Sequence, residues 1–189
     1  MTIDTTSADR ARLIEIIRCR SYGTGVEIRL ASGRISNFYF NLTPTMLEPE
    51  GAYLIGALVS GAIAPGEADM VGGLEMGAVP IAAAVAAVSF AKGTPLPAFF
   101  VRKQAKEHGT QSLIEGLIKG ETIKGKRVII VEDVTTTGGS SLKAVEAVRA
   151  EGGSVVRVIT VVDRLEGASE TFAKAGIAFS PILTVQDFR

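Results

Sequence analysis

The chain has 189 residues, 47% of them hydrophobic, and Lys plus Arg equals Asp plus Glu at 20 each. That length and apolar content suit one domain with a sizeable core and exclude a disordered chain. Zero net charge excludes a global pull toward nucleic acid or an anionic membrane, so any basic site must be local.

The chain opens on MTIDTTSADR, which lacks the basic region and apolar stretch of a signal peptide. Residues 7–20 read as an amphipathic helix, with Ser7 as N-cap, Asp9 in the first turn, and Leu13, Ile16 and Ile17 on one face. Near its end lies Cys19, the single cysteine. It can form no intrachain disulfide and reads as a packed thiol in a reducing compartment. VEIRL (26–30) and FYFNL (38–42) read as short strands around the turn ASGR. Residues 1–48 thus form a helix with a small hairpin-like appendage.

From residue 49 strands and helices alternate. Residues 49–63 read as a helix with Pro49 in its first turn. DMVGGL (69–74) is a short strand, and 77–91 an Ala-rich helix in which Pro80 is tolerated only near the start. This most apolar stretch is too short to span a membrane, so a soluble, cytoplasmic protein is expected. PAFFVR (97–102) and KRVIIVED (126–133) read as strands, and 140–153 as a helix closed by Gly152 and Gly153. VVRVITVVDR (155–164) is another apolar strand, and 169–185 holds a last helix and strand. Apolar runs without strict alternation predict an α/β fold, a mainly parallel sheet flanked by helices, over 49–189. Together with 1–48 it makes one structural domain. Ligands of such sheets sit at the carboxyl ends of the strands.

One of those ends carries the densest chemistry, VIIVEDVTTTGGSS (128–141). Gly138 and Gly139 let backbone approach a ligand closely. The helix starting near Ser140 aims free N–H groups and its positive dipole end at the loop, and Thr135, Thr136, Thr137 and Ser140 add hydroxyls. This is a phosphate cradle, yet neither a Walker A loop, which needs Gly-Lys-Ser/Thr, nor the G-x-G-x-x-G dinucleotide fingerprint. Glu132 and Asp133 would repel a bare phosphate. They suit a ribose 5-phosphate, whose 2′- and 3′-hydroxyls donate to carboxylates while the loop holds the phosphate. The bland reading is an ordinary strand-to-helix turn with an incidental acidic pair. A second constellation is VRKQAKEHGTQSLIEG (101–116), which sets Arg102, Lys103, Lys106 and the only histidine, His108, within seven residues. It suits a mobile lid over a polyanion, and on composition alone a solvated loop as well. No His, Cys and carboxylate cluster has zinc spacing.

The first block resembles the ribosyl-phosphate motif of type I phosphoribosyltransferases, and RKQAKEHG is similar to the catalytic-loop signature of the orotate phosphoribosyltransferases among them. The resemblance runs in order over roughly residues 10–165. It implies Mg²⁺, bound mainly through phosphoribosyl pyrophosphate with no assured direct protein ligand, and a homodimer whose lid reaches the neighbouring subunit. It implies Arg102, Lys103, Lys106, His108, Glu132, Asp133, Val134, Thr135, Thr136, Thr137, Gly138, Gly139 and Ser140 around phosphoribosyl pyrophosphate. Lys106, Glu132 and Asp133 would be catalytic. Thr136, Arg164, Tyr39 and Phe40 would meet orotate. ASGRISNFYFN (31–41) looks like the family's N-terminal hood segment. Ala31, Glu75 and Met76 stand where many members carry a lysine or a Tyr-Lys pair, with Arg34 as a partial substitute. Two rivals are weaker. A purine phosphoribosyltransferase predicts a different lid and an aromatic residue after VVDR. A regulator that kept the site and lost catalysis predicts a basic nucleic-acid surface, at odds with zero net charge.

Overall fold

The computed structural model describes residues 5–29, 35–104 and 112–189. Lys106, His108, Ala31 and Arg34, named above, lie outside them. Helix α1 (Thr5–Arg20) leads into strands β1 (Tyr22–Arg29) and β2 (Ile35–Phe40), an antiparallel pair forming its own small sheet. Ser7 therefore lies inside α1, two residues past its start, and is not its N-cap. Leu13, Ile16 and Ile17 share the buried face, as their spacing predicts. A short helix, α2 (Thr43–Met46), precedes α3 (Pro49–Ala62). There Pro49 takes the first helical position and Glu48 caps it, accepting from the Gly51 N–H at 2.7 Å.

The core follows as β3 (Met70–Leu74), α4 (Ala78–Ala91), β4 (Ala98–Val101), β5 (Ile114–Glu115), β6 (Arg127–Thr135), α5 (Gly139–Ala150), β7 (Ser154–Asp163), α6 (Ala168–Lys174) and β8 (Ala178–Thr184), then a 3₁₀ turn, Val185–Phe188. The six-stranded sheet runs β5-β4-β3-β6-β7-β8, every neighbour parallel except the edge strand β5. The apolar runs are explained by cover on both faces. Along β6, Ile129 and Val131 enter the core under α1, α3 and α4, while Val128 and Ile130 enter the core under α5 and α6. All four are fully buried, and truncating either isoleucine to Ala costs about 2–5 kcal/mol.

One expectation fails here. KRVIIVED does not end at its carboxylates, since β6 stays paired with β7 as far as Thr135↔Asp163. The side chains at 132 and 133 are acidic while the backbone ladder continues past them. Strand alternation then sends Glu132 and Asp133 to opposite faces of the sheet.

The described residues among the first 48 are tied to the core. Tyr22 and Phe40 stack with Phe188 at 5.5 and 5.0 Å between ring centroids. Arg10 pairs with Asp187 at 2.8 Å and Arg12 with Glu50 at 2.7 Å. Among the described residues no helix is long and apolar enough to cross a membrane.

Candidate active site

The carboxyl ends of β3, β4, β6 and β7 meet on one edge of the sheet. A cavity of about 380 Å³ opens there, lined by Glu132, residues 134–141 and Arg164. Its rim is the start of α5, where Gly138 holds φ +88° and an added Cβ would stand 2.9 Å from the ring of Phe172. Glycine is needed there for both backbone and space. Gly139 begins the helix in the open, so the first turn of α5 presents its N–H groups to the cavity.

Glu132 is buried under that turn and accepts from Ser141 Oγ at 2.9 Å. Burial foremost, then the adjacent Asp133, pushes its carboxyl up to about 8, and the Ser141 bond only partly offsets them. Asp133 is not in the cavity wall. Its carboxylate sits beside Gly77 in the β3–α4 loop, where a Cβ would come within 2.6 Å of Oδ1. The acidic pair thus straddles β6, one member toward α5 and the other toward α4. Thr136 is half-buried and Thr137 and Ser140 are exposed, whereas Thr135 closes β6 as a buried residue whose Oγ1 has no hydrogen-bond partner.

A second hollow, about 730 Å³, shares Ser140 with the first and carries Arg102, Lys103 and Lys143. Arg102 N–H donates to Leu113 O at 2.8 Å, and β4 pairs with β5 just inside that contact. The two ends of the predicted lid are therefore held together. Lys103 N–H donates to Glu75 Oε1 at 2.9 Å. The carboxylate that stands in place of a cation is turned onto the root of the lid.

Arg164, which the resemblance sets against orotate, is buried. Its Nε and Nη2 each lie 2.8 Å from Glu166 Oε1, and its Cζ lies 4.6 Å from the centre of the Phe38 ring. The two aromatics expected at this end are not in the cavity wall. Tyr39 lies across Gly23 and is 41% exposed, and Phe40 packs on Tyr22 at 4.9 Å. Strand alternation puts Phe38 on the face of Phe40, nearer Arg164.

Sequence reasoning missed Phe38, Ser141, Lys143 and Glu166. Glu166 had a readable signal, an acid two residues beyond a candidate arginine in a turn. Ser141 had none, because only the fold brings it to Glu132.

Comparison with known proteins places this geometry. Residues 47–188 match the phosphoribosyl transferase domain. An orotate phosphoribosyltransferase of Bradyrhizobium diazoefficiens is 60% identical over 182 residues, 96% of this chain and 97% of the relative. The orotate phosphoribosyltransferase of Mycobacterium tuberculosis, solved with 5-phospho-alpha-D-ribosyl 1-diphosphate, is 40% identical at a TM-score of 0.76, covering 95% of this chain and 98% of that one. In complex with Fe(III) dicitrate it aligns at 43% identity and a TM-score of 0.81, with the same coverage.

Proposed function

The chain belongs to the phosphoribosyl transferase family with the type I fold, and from that premise we propose that it is an orotate phosphoribosyltransferase. It transfers the ribosyl 5-phosphate group of phosphoribosyl pyrophosphate to orotate, giving orotidine 5′-monophosphate and pyrophosphate, a step of pyrimidine synthesis. The observation that carries this reading is the pair of hollows joined at Ser140. One offers a helix N-terminus, hydroxyls, a buried carboxylate and an arginine, and the other offers cations. A ligand with a phosphate, a diol, an anionic base and a pyrophosphate uses all of them.

Breaking the anomeric bond builds positive charge on the ribose and negative charge on the leaving pyrophosphate. The loop 135–140 and the first turn of α5 hold the 5-phosphate. Glu132 and Asp133 accept from the ribose hydroxyls and face the developing positive charge from the two sides of β6. Arg102, Lys103, Lys106 and His108 stabilise the leaving group, and Lys106 is assigned the largest share. Thr136 and Arg164 take orotate, the latter through its carboxylate. As the new N1–C1′ bond forms and the bond from C1′ to pyrophosphate breaks, the N1 proton of orotate passes to the departing pyrophosphate, so no strong protein base is required.

Among the described residues no group of three His, Cys, Asp or Glu can enclose a metal. Glu132 and Asp133 lie on opposite sides of β6 and do not chelate one ion together, which fits Mg²⁺ carried chiefly by the substrate's phosphates. When bound, Mg²⁺ supplies positive charge against the departing pyrophosphate. The lone cysteine suits the cytoplasm. An exposed apolar stripe, Met76, Ala83, Ala87 and Phe90, supports a homodimer formed through α4, with the lid serving the neighbouring subunit.

The test is loss of orotate absorbance with phosphoribosyl pyrophosphate and Mg²⁺, with hypoxanthine, adenine and uracil as competing acceptors. Orotate should be consumed in strong preference. Turnover of a purine instead would point to the other branch of the family.

A further inference from the structure

Arginine is a costly residue to hold still, with about 2 kcal/mol of rotamer entropy in its side chain. At the end of a strand it normally stays in solvent. The Arg164 side chain is only 6% exposed, and elements on three sides restrain it. Its own N–H donates to Thr135 O at 3.0 Å, locking the residue to the end of β6. Asp163 Oδ1 accepts from the Leu165 N–H at 2.9 Å, and Leu165 takes φ +58°. That tight turn brings Glu166 back alongside the arginine, where one oxygen, Oε1, receives both Nε and Nη2. The third restraint comes from the hairpin. Phe38 lays its ring against the guanidinium at 4.6 Å, with Arg189 also 5.5 Å from the same ring.

A guanidinium fixed in its plane by a carboxylate and on its face by a ring keeps a set direction toward the cavity it lines. The Arg164–Glu166 pair carries no net charge, so it attracts a distant anion weakly. It rewards an anion that arrives in the right place, because its N–H groups are already aimed and mostly out of water. Such a device discriminates by geometry. It favours a planar ring bearing a carboxylate over the same ring without one.

On the reading of the site given above, we propose that Glu166 and Phe38 are positioning residues that aim Arg164 and thereby set the preference for a carboxylate-bearing pyrimidine over the unsubstituted ring. Glu166 acts through the place of its acceptor oxygen, Phe38 through the plane of its ring, and neither needs to touch the substrate.

The experiment compares Glu166→Ala, Glu166→Gln and Phe38→Leu with the unmodified full chain. It measures KM for orotate and for phosphoribosyl pyrophosphate separately, the orotate-to-uracil ratio of kcat/KM, and the melting curve. Glu166→Ala should raise KM for orotate about tenfold and narrow the orotate-to-uracil ratio by a similar factor. KM for phosphoribosyl pyrophosphate should stay within about twofold, since the restraint touches only the base end of the site. Glu166→Gln keeps an acceptor oxygen and should recover most of the loss. Phe38→Leu, on the hairpin, takes the ring from the guanidinium and leaves the Glu166 carboxylate in place, and should raise KM for orotate about threefold or more. An unchanged or lowered KM for orotate in folded Glu166→Ala overturns the proposal. So does a parallel rise in both KM values, or equal damage from Ala and Gln. If Glu166→Ala does not fold, Phe38→Leu decides alone. If the unmodified chain consumes no orotate, the functional reading itself fails, and this proposal with it.

Discussion

Glu132 shows how much a single side chain depends on its surroundings. A carboxyl that would ordinarily titrate near 4.5 is carried to about 8 by burial and by its neighbour Asp133. Between those values the folded chain holds a proton that the unfolded chain has released. Stability therefore falls as pH rises through that window, by at most about 1.4 kcal/mol per pH unit from this group. Below about pH 4.5 the penalty is absent, and above about pH 8 it is complete. Buried Asp163, raised by its own burial, adds a slope of the same sign. Glu132→Gln removes the titration, so its melting temperature should gain on the parent's steadily from about pH 5 to about pH 8. A constant gap across that range would show that Glu132 is ionised throughout. The chemistry of 132–140 was legible in the sequence because Glu, Thr and Gly declare their donors and acceptors. Which face each side chain takes was not, because it depends on the strand continuing past the acids. The same holds for Arg164, whose burial is set by Phe38, about 125 positions away in the chain.

Among the elements, the loop between β3 and α4 touches more of the site than its length suggests. Gly77 admits the Asp133 carboxylate, and Glu75 receives the Lys103 N–H at the root of the lid. Glu75→Ala should leave that N–H without its acceptor and loosen the lid's cations. KM for phosphoribosyl pyrophosphate should then rise about three- to tenfold with orotate affinity unaffected, while Glu75→Gln stays near the parent. Steady-state kinetics with each substrate varied in turn decides it, and a change confined to orotate would contradict the assignment. Most strands and helices could be read from the sequence, since apolar runs bounded by Gly and Pro are what a two-sided parallel sheet requires. The misses were short. Ile114–Glu115 and Thr43–Met46 offer too few residues for a period to show, and β5 exists only because β4 supplies its partner.

For the whole molecule, α4 sets the question of assembly. It is apolar nearly all round, Ala, Val, Ile and Phe with no charged residue, a pattern suited to burial on every side. Yet Ala83, Ala87 and Phe90 face outward, Phe90 with 76% of its surface exposed. Ala87→Glu should split the proposed dimer in sedimentation velocity and cost most of the turnover, because the lid would lose the site it serves. A variant that sediments and turns over like the parent would put the interface elsewhere. The shape of the site also bears on how it is blocked. Ser140 stands in the walls of both hollows, so the start of α5 is a saddle between two basins. Two weak anionic fragments, one in each basin, become a single bivalent inhibitor when tethered across that saddle. The second contact is then intramolecular, and effective concentration alone raises avidity by about 10²–10⁴ when the tether matches the span.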